Sequence, residues 1–257
     1  MTLTDTHTHL YSEQFDADRA DAIQRAISNG VQHFYIPAID SSYTEAMYDL
    51  ERNYPKQVQL MMGLHPTSVG DHFQEELKHI RQQLDNRKFA AIGEIGIDLY
   101  WDKSKLTEQI IAFKKQIEWA KEFKLPIVIH CRDAFDEVFS VLEEEQSQDL
   151  FGIFHCFTGD FQQAEKAIQL GMKLGIGGVV TFKNGKIDQF LDKISLRDIV
   201  LETDSPYLAP VPYRGKRNES SYLLNVAEKV AQIYNLSVAE VAEITTQNAR
   251  DIFQNYE

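Results

Sequence analysis

Pro126-Ile-Val-Ile-His-Cys131 and Leu150-Phe-Gly-Ile-Phe-His-Cys156 follow one pattern, in which a short apolar run ends in a histidine and a cysteine. Six other short apolar runs rich in β-branched residues alternate with longer amphipathic stretches along the chain. This rhythm is typical of parallel strands connected by helices. The strands are predicted at residues 2–6, 31–37, 58–64, 89–95, 126–130, 150–155, 172–177 and 198–202.

The amphipathic stretches predict helices that cover the outside of the sheet. Residues 17–28 and 106–123 form two of them, with apolar side chains recurring at one-turn spacing. Two further helices, at residues 221–234 and 237–253, follow the last strand. Because 257 residues suit one barrel, we expect a single α/β domain over residues 1–257, a (β/α)8 TIM barrel with additional C-terminal helices.

The composition is that of an ordinary globular protein, with 43% hydrophobic and 25% charged residues. The N-terminus shows no basic segment followed by an apolar stretch, and no window resembles a membrane span. These features predict a cytoplasmic protein without membrane contact, and nothing in the sequence indicates an obligate protein partner. Cys131 and Cys156 are too few for a disulfide framework and are expected to be buried thiols.

Polar residues that follow the strands are where chemistry is expected, because the active site of such a barrel lies at the carboxyl ends of its strands. Two histidines at a spacing of two on an extended chain share one face. A lone histidine at a strand end is more often structural, but several ligand-type residues at one end of the barrel favour metal binding. The predicted ligands are His7, His9, Glu94, His130, His155 and Asp204.

This ligand set suits two divalent ions better than one, because a carboxylate can bridge a pair of ions. Glu94 is the predicted bridge. Oxygen ligands favour magnesium or manganese, while the four imidazoles also accept zinc. Asp5 is expected to orient one imidazole from behind.

The ordered series of motifs resembles a known family. The motifs are Thr6-His7-Thr-His9-Leu, Gly63-Leu-His65-Pro66, Gly93-Glu-Ile-Gly96, His130-Cys-Arg132-Asp133-Ala, His155-Cys-Phe157-Thr-Gly159, Glu202-Thr-Asp204-Ser-Pro206-Tyr207-Leu and Pro212-Tyr213-Arg214-Gly-Lys216-Arg217-Asn218-Glu219. Together they resemble the TatD family of metal-dependent deoxyribonucleases over almost the whole chain. One departure is Ser220, where the resemblance suggests proline, and it concerns the stiffness of a loop.

The resemblance implies a role for each ligand. One ion would be held by His7, His9, Glu94 and Asp204, and the other by Glu94, His130 and His155. Asp204 would also accept a proton from the attacking water, so Glu94 and Asp204 are the predicted catalytic residues. The implied reaction is hydrolysis of phosphodiester bonds in DNA, as a 3′-5′ exonuclease on single-stranded ends.

Binding of DNA must overcome a formal net charge of -13, which repels a polyanion at long range. Arg214, Lys216 and Arg217, in the loop after the eighth strand, form the basic patch predicted to meet phosphate. His65 resembles a family residue that contacts phosphate, and a structural strand-end histidine is the alternative. Arg132 is predicted either to contact phosphate or to form a salt bridge at a helix start, and strand parity would turn it from the metals unless the loop has already begun there.

Three groups of residues have further interpretations. Stacking on an unpaired base and capping of the core are equal alternatives for Tyr100, Trp101 and Phe157. Tight packing, rather than phosphate binding, is expected at Gly175, Gly177 and Gly178. A structural role is expected for His33, His72 and His79.

Two other functions are compatible with the pattern. An amidohydrolase-type enzyme acting on a small amide, lactone or organophosphate would share the fold and the His-x-His start. Such enzymes often bridge their metals with a carboxylated lysine, and no strand-end lysine is among the predicted ligands. A non-catalytic metal-binding scaffold would be expected to have lost ligands, and all six are present.

Overall fold

Eight parallel strands form one sheet in the order β1 to β8 in the computed structural model, which describes residues 1–253. They are Leu3–Asp5, Val31–Ile36, Val58–Met62, Ala91–Asp98, Ile127–Arg132, Gly152–Phe154, Met172–Ile176 and Ile199–Leu201. The sheet closes where the Thr6 amide donates to the Leu201 carbonyl over 3.1 Å and where Thr8 forms a parallel bridge with Ser205. The predicted barrel is therefore confirmed.

Alternation of side chains along the strands creates two layers of apolar packing. Tyr35, Met61, Val128, Ile153 and Val200, one from each of five strands, belong to a small cluster of buried residues. Their neighbours along the same strands belong to the larger cluster that includes the helices. Because successive strand residues point to opposite faces, the small cluster lies inside the barrel.

Within residues 1–253, eight α-helices surround the strands: α1 Arg19–Ser28, α2 Thr44–Asn53, α3 Phe73–Asn86, α4 Leu106–Phe123, α5 Phe135–Glu144, α6 Phe161–Gln169, α7 Leu223–Tyr234 and α8 Val238–Phe253. Between β7 and β8, the described chain has only short 3-10 turns in place of a helix. Both α7 and α8 follow β8, as predicted, and α8 packs against β1 and β8. Its last residue, Phe253, stacks on Tyr35 with ring centroids 3.7 Å apart, so α8 also covers the amino-terminal end of the barrel.

The strand boundaries differ from prediction where they affect the site. β4 and β5 extend to Asp98 and Arg132, which pair with each other, whereas β6 is shorter than predicted. Cys131 and Cys156 are free and only half-buried, less enclosed than expected. No helix within residues 1–253 is long and apolar enough to span a membrane.

Candidate metal centre

Strand geometry aims two of the predicted ligands into the barrel mouth. Val128 and Ile153 face the interior, so His130 and His155, two residues further on, face it too. Glu94 reaches the same side by a different route. The register between β4 and β5 shifts between Gly93 and Ile95, so Glu94 has no paired residue on β5. This irregularity lets its side chain turn toward the interior of the barrel.

His7 and His9 lie just beyond β1 and are fixed by the segment after β8. The Asp204 amide donates to the His7 carbonyl over 2.9 Å, and the His9 amide donates to the Ser205 carbonyl over 2.7 Å. Between the two histidines, Thr8 Oγ1 lies 2.6 Å from Ser205 Oγ and accepts from Ser220 Oγ over 3.2 Å. Ser220, the departure from the family pattern, therefore belongs to a buried hydroxyl cluster beneath the histidines.

Glu94 lies at the centre of the cluster, and its two oxygens face different imidazoles. Its Oε2 lies 3.1 Å from His7 Nε2 and 3.8 Å from His9 Nε2. Its Oε1 lies 2.8 Å from His130 Nδ1 and 3.7 Å from His155 Nε2. Asp204 Oδ1 completes the set at 3.5 Å from His9 Nε2. The structure thus brings together all six predicted ligands.

The donors in this cluster fit divalent metal ions. His7 Nε2 is buried and lies 3.1 Å from Glu94 Oε2 without a well-oriented hydrogen bond within the described chain, as expected for a nitrogen that would share an ion with that carboxylate. Sets of ligand atoms lie within 4.8 Å of one another in four groups: His7, His155 and Asp204; His7, His9 and Glu94; His65, Glu94 and His130; and His155, Cys156 and Glu202. Imidazole with carboxylate is a usual ligand combination for such ions.

His65, predicted to contact a phosphate beside the metals, lies within the cluster of candidate ligands itself. Its Nε2 is 3.3 Å from Glu94 Oε1 and 3.2 Å from His130 Nδ1, while its Nδ1 lies 2.6 Å from Thr67 Oγ1. Because its ring nitrogen faces the same carboxylate oxygen as the His130 ligand atom, His65 is also placed to ligate an ion.

Three residues that the sequence analysis missed hold the histidines from behind. Tyr11 Oη accepts from His9 Nδ1 over 2.8 Å while donating to the Pro37 carbonyl. Asp98 Oδ2 lies 2.9 Å from His130 Nε2, and Glu202 Oε1 lies 2.9 Å from His155 Nδ1. Tyr11 and Glu202 each lie two residues from a predicted ligand. This spacing was the one sign in the sequence that they could approach the histidines.

Asp5 corrects one expectation, because it does not meet an imidazole. Its carboxylate accepts from the Thr203 amide over 2.9 Å and from Thr203 Oγ1 over 2.7 Å. Burial raises the pKa of Asp5 to about 7, and these hydrogen bonds oppose that rise. Asp5 therefore ties β1 to the segment that carries Asp204.

The electrostatics of the cluster keep its carboxylates ionised. Burial alone would raise the pKa of Glu94, but His65, His7 and the other imidazoles hold that pKa well below its usual range. Burial opposes ionisation of Asp204 as well, and His155 leads the charges that lower its pKa. The imidazoles lower these pKa values by carrying protons, so a cation bound here would displace those protons and take over their stabilising charge.

The predicted phosphate contacts have different surroundings. Arg132 lies two residues after His130, so it shares that residue's side of β5 and the parity expectation was wrong. Its guanidinium lies 3.7 Å from the centroid of the Tyr100 ring and makes no salt bridge within residues 1–253. The guanidinium of Arg214 lies 3.6 Å from the centroid of the Phe182 ring, and Lys216 is exposed.

Arg217 is engaged elsewhere. Its Nη1 and Nη2 donate to the two oxygens of Asp18 over 2.6 and 2.8 Å, and its guanidinium covers the Phe15 ring. This pairing anchors the loop to the segment before α1. Arg214 and Lys216 are therefore the cations of the predicted patch that stay exposed.

The residues with two interpretations separate in the structure. Phe157 is 2% exposed and packs against Phe135 and Phe154, so it belongs to the core. Tyr100 and Trp101 are exposed. A Cβ on Gly175 would lie 2.2 Å from Glu202 Oε2, which supports the packing interpretation of that glycine.

The remaining histidines lie apart from the cluster. Nε2 of His79 lies 2.9 Å from Thr44 Oγ1, which fits the expected structural role. His72 is an exposed residue next to α3, and its Nδ1 lies 3.8 Å from Glu75 Oε2. His33 is half-buried on β2.

Comparisons with known proteins agree with this geometry. The family model described as TatD related DNase matches residues 4–254. The uncharacterized metal-dependent hydrolase YabD of Bacillus subtilis is 40% identical over 254 residues, which cover 98% of this chain and 99% of YabD. The uncharacterized metal-dependent hydrolase YcfH of Escherichia coli is 33% identical, over 98% of this chain and 96% of YcfH.

A solved structure gives the same result for the fold. The TatD homologue YjjV of Escherichia coli superposes with a TM-score of 0.92 at 29% identity, covering 98% of each chain. The resemblance stated from the motifs is therefore confirmed across fold and sequence. The chain belongs to the TatD-related DNase family of metal-dependent hydrolases.

Proposed function

We propose that this hydrolase is a deoxyribonuclease that cleaves phosphodiester bonds at unpaired 3′ ends with the help of two divalent ions, magnesium or manganese. One observation carries the proposal: the two oxygens of Glu94 face different groups of imidazoles. A carboxylate in that position can bridge two ions, which is the arrangement suited to phosphoryl transfer. The family name supports DNA as the substrate.

Two ions bound there would offset negative charge on the phosphate and make water a stronger acid. The protein's own residues supply the other requirements. Asp204 stays ionised and keeps 14% of its side chain exposed, so its carboxylate can accept a proton from water. Three exposed cations can hold phosphates on either side of the reacting one: Arg132 at the end of β5, and Arg214 and Lys216 in the loop after β8.

An assay with end-labelled DNA tests the proposal. Protein loaded with magnesium, manganese or zinc is incubated with single-stranded DNA, duplex DNA and a panel of small amides and lactones, with and without a chelator. We expect chelator-sensitive shortening of single strands from the 3′ end and slower attack on duplex. Turnover of amides or lactones without DNA cleavage would instead assign the site to an amidohydrolase-type reaction.

A matched pair of variants connects the activity to the cluster. Glu94→Gln removes the bridging charge at nearly constant size, whereas Glu165→Gln makes the same chemical change on the exposed face of α6. We expect activity to be lost only with Glu94→Gln. Equal activity in the two variants would refute the bridging role.

A further inference from the structure

Two large aromatic side chains stand exposed beside the metal centre, at the end of β4. Trp101 is 70% exposed and Tyr100 is 53% exposed. Their rings are perpendicular, with centroids 5.0 Å apart. Exposed aromatic rings at the mouth of a site are candidates for binding, because water is a poor partner for their faces.

The backbone of this aromatic pair is fixed to a metal ligand by one carboxylate. Asp98 Oδ1 accepts from the Tyr100 amide over 2.9 Å and from the Trp101 amide over 3.1 Å. The other oxygen, Oδ2, lies 2.9 Å from His130 Nε2. A single buried side chain therefore sets the position of the Tyr100 and Trp101 backbone relative to the cluster.

The cation Arg132 completes the surface. The Arg132 guanidinium lies 3.7 Å from the Tyr100 ring centroid and 5.6 Å from that of Trp101. Within residues 1–253 it forms no salt bridge, whereas Arg217 is neutralised by Asp18. In a chain with a net charge of -13, an arginine that is paired with no carboxylate of the described residues favours an anionic group of the substrate.

We propose that Tyr100, Trp101 and Arg132 form a subsite for one nucleotide with an unpaired base. The base stacks on the exposed Trp101 ring, and Arg132 binds the phosphate next to the one that is cleaved. A base within a duplex is already stacked between its neighbours, so the subsite selects single-stranded ends. The inference rests on the proposed nuclease function and names the feature of the substrate, an unpaired base, that this subsite recognises.

Tryptophan fluorescence tests the subsite without requiring cleavage. The chain has two tryptophans, and the other, Trp119, is 6% exposed. Magnesium-loaded protein is titrated with phosphorothioate-linked oligothymidylate, which resists hydrolysis, and with an abasic phosphorothioate strand of equal length. We expect saturable quenching by the oligothymidylate alone and its disappearance in Trp101→Phe, which retains Trp119. Equal quenching by the abasic strand, or none by either, would overturn the proposal.

Variant kinetics provide a second readout. Trp101→Ala should raise KM for single-stranded DNA about tenfold, because stacking of one base contributes on that order. It should leave kcat nearly unchanged, and Trp101→Phe should recover most of the loss. Arg132→Ala should weaken binding of both strands, whereas Arg197→Ala, at an exposed arginine before β8, serves as the charge control. A Trp101→Ala variant with unchanged KM would contradict stacking at this position.

The two readouts separate failure of the subsite from failure of the nuclease proposal. Quenching by oligothymidylate in a protein that cleaves no DNA would retain the base subsite and remove the reaction. Cleavage of DNA with neither quenching nor a Trp101→Ala effect would retain the reaction and remove the subsite.

Discussion

The two sides of Glu94 are built differently. On the inner side, Oε2 faces His7 and His9, whose side chains are 0% and 5% exposed, and His9 is held by the neutral phenol of Tyr11. On the outer side, Oε1 faces His65 and His130, whose side chains are 13% and 17% exposed, and His130 is held by the carboxylate of Asp98. His155 lies between them, stacked on His7 and 3.7 Å from Oε1.

This difference separates two requirements of the proposed reaction. The inner side has the two more buried imidazoles, His7 and His9, so water replaces these two donors less easily, while Asp204 beside them keeps 14% of its side chain exposed. The outer side is open to substrate, which also exposes its ion to water. Asp98 behind His130 offsets this exposure, because its charge makes the imidazole a stronger ligand. We therefore expect the inner ion to stay bound during purification and the outer ion to exchange with the medium.

Removal of the shared carboxylate should have the largest effect. Glu94→Gln leaves both sides without their common anion, so we expect activity to fall about 1000-fold or more, the scale at which several kcal/mol of charge stabilisation is lost. Metal analysis of the purified variant should show loss of both ions. Retention of one metal ion per protein chain would mean that metal binding on the inner side does not depend on Glu94.

Asp98→Asn should affect the outer side alone. The amide keeps the size of the side chain but removes the charge behind His130, and loss of such a partner typically weakens a metal site by about 10- to 100-fold. Calorimetric titration of the metal-free protein should show one weakened site and one unchanged site. Equal weakening of both sites would contradict the division at Glu94.

Tyr11→Phe is the corresponding change on the inner side and should have a smaller effect. The lost hydrogen bond joins neutral groups, and a bond of that type contributes about 1 kcal/mol, or roughly fivefold in affinity. The same titration measures it, with Tyr54→Phe, a half-buried tyrosine at the end of α2, as the control. A loss as large as that of Asp98→Asn would mean that burial does not protect the inner ion.

The sequence predicted the fold and the clustering of the candidate residues better than the division between the two sides of Glu94. Alternating apolar and amphipathic stretches are local signals, and they placed all eight strands. Residue type at strand ends also singled out the six predicted ligands, whose side chains the structure brings into one cluster. Glu94 faces inward only through the register shift at Gly93 and Ile95, however, and strand parity contains no sign of that shift.

The missed and displaced residues depend on long-range contacts. Asp98 meets His130 because β4 continues past its predicted end to pair with β5, and that pairing is fixed by the sheet rather than by local preference. Arg217 is taken from the phosphate patch by Asp18, which lies 199 positions away in the chain. No spacing rule connects residues so far apart.

The smallest effect is expected from Ser220, which tests whether the inner side depends on the hydroxyl cluster beneath it. Ser220→Ala removes the donor to Thr8 Oγ1, but Thr8 keeps its contact with Ser205 and the backbone bonds of His7 and His9 stay intact. We expect the free energy of unfolding to fall by about 1 kcal/mol, with less than a roughly twofold change in metal affinity. Denaturant melts and the same calorimetric titration measure both quantities. A loss of inner-ion affinity greater than that of Tyr11→Phe would show that the hydroxyl cluster, rather than the burial of the imidazoles, makes the inner side the tighter of the two.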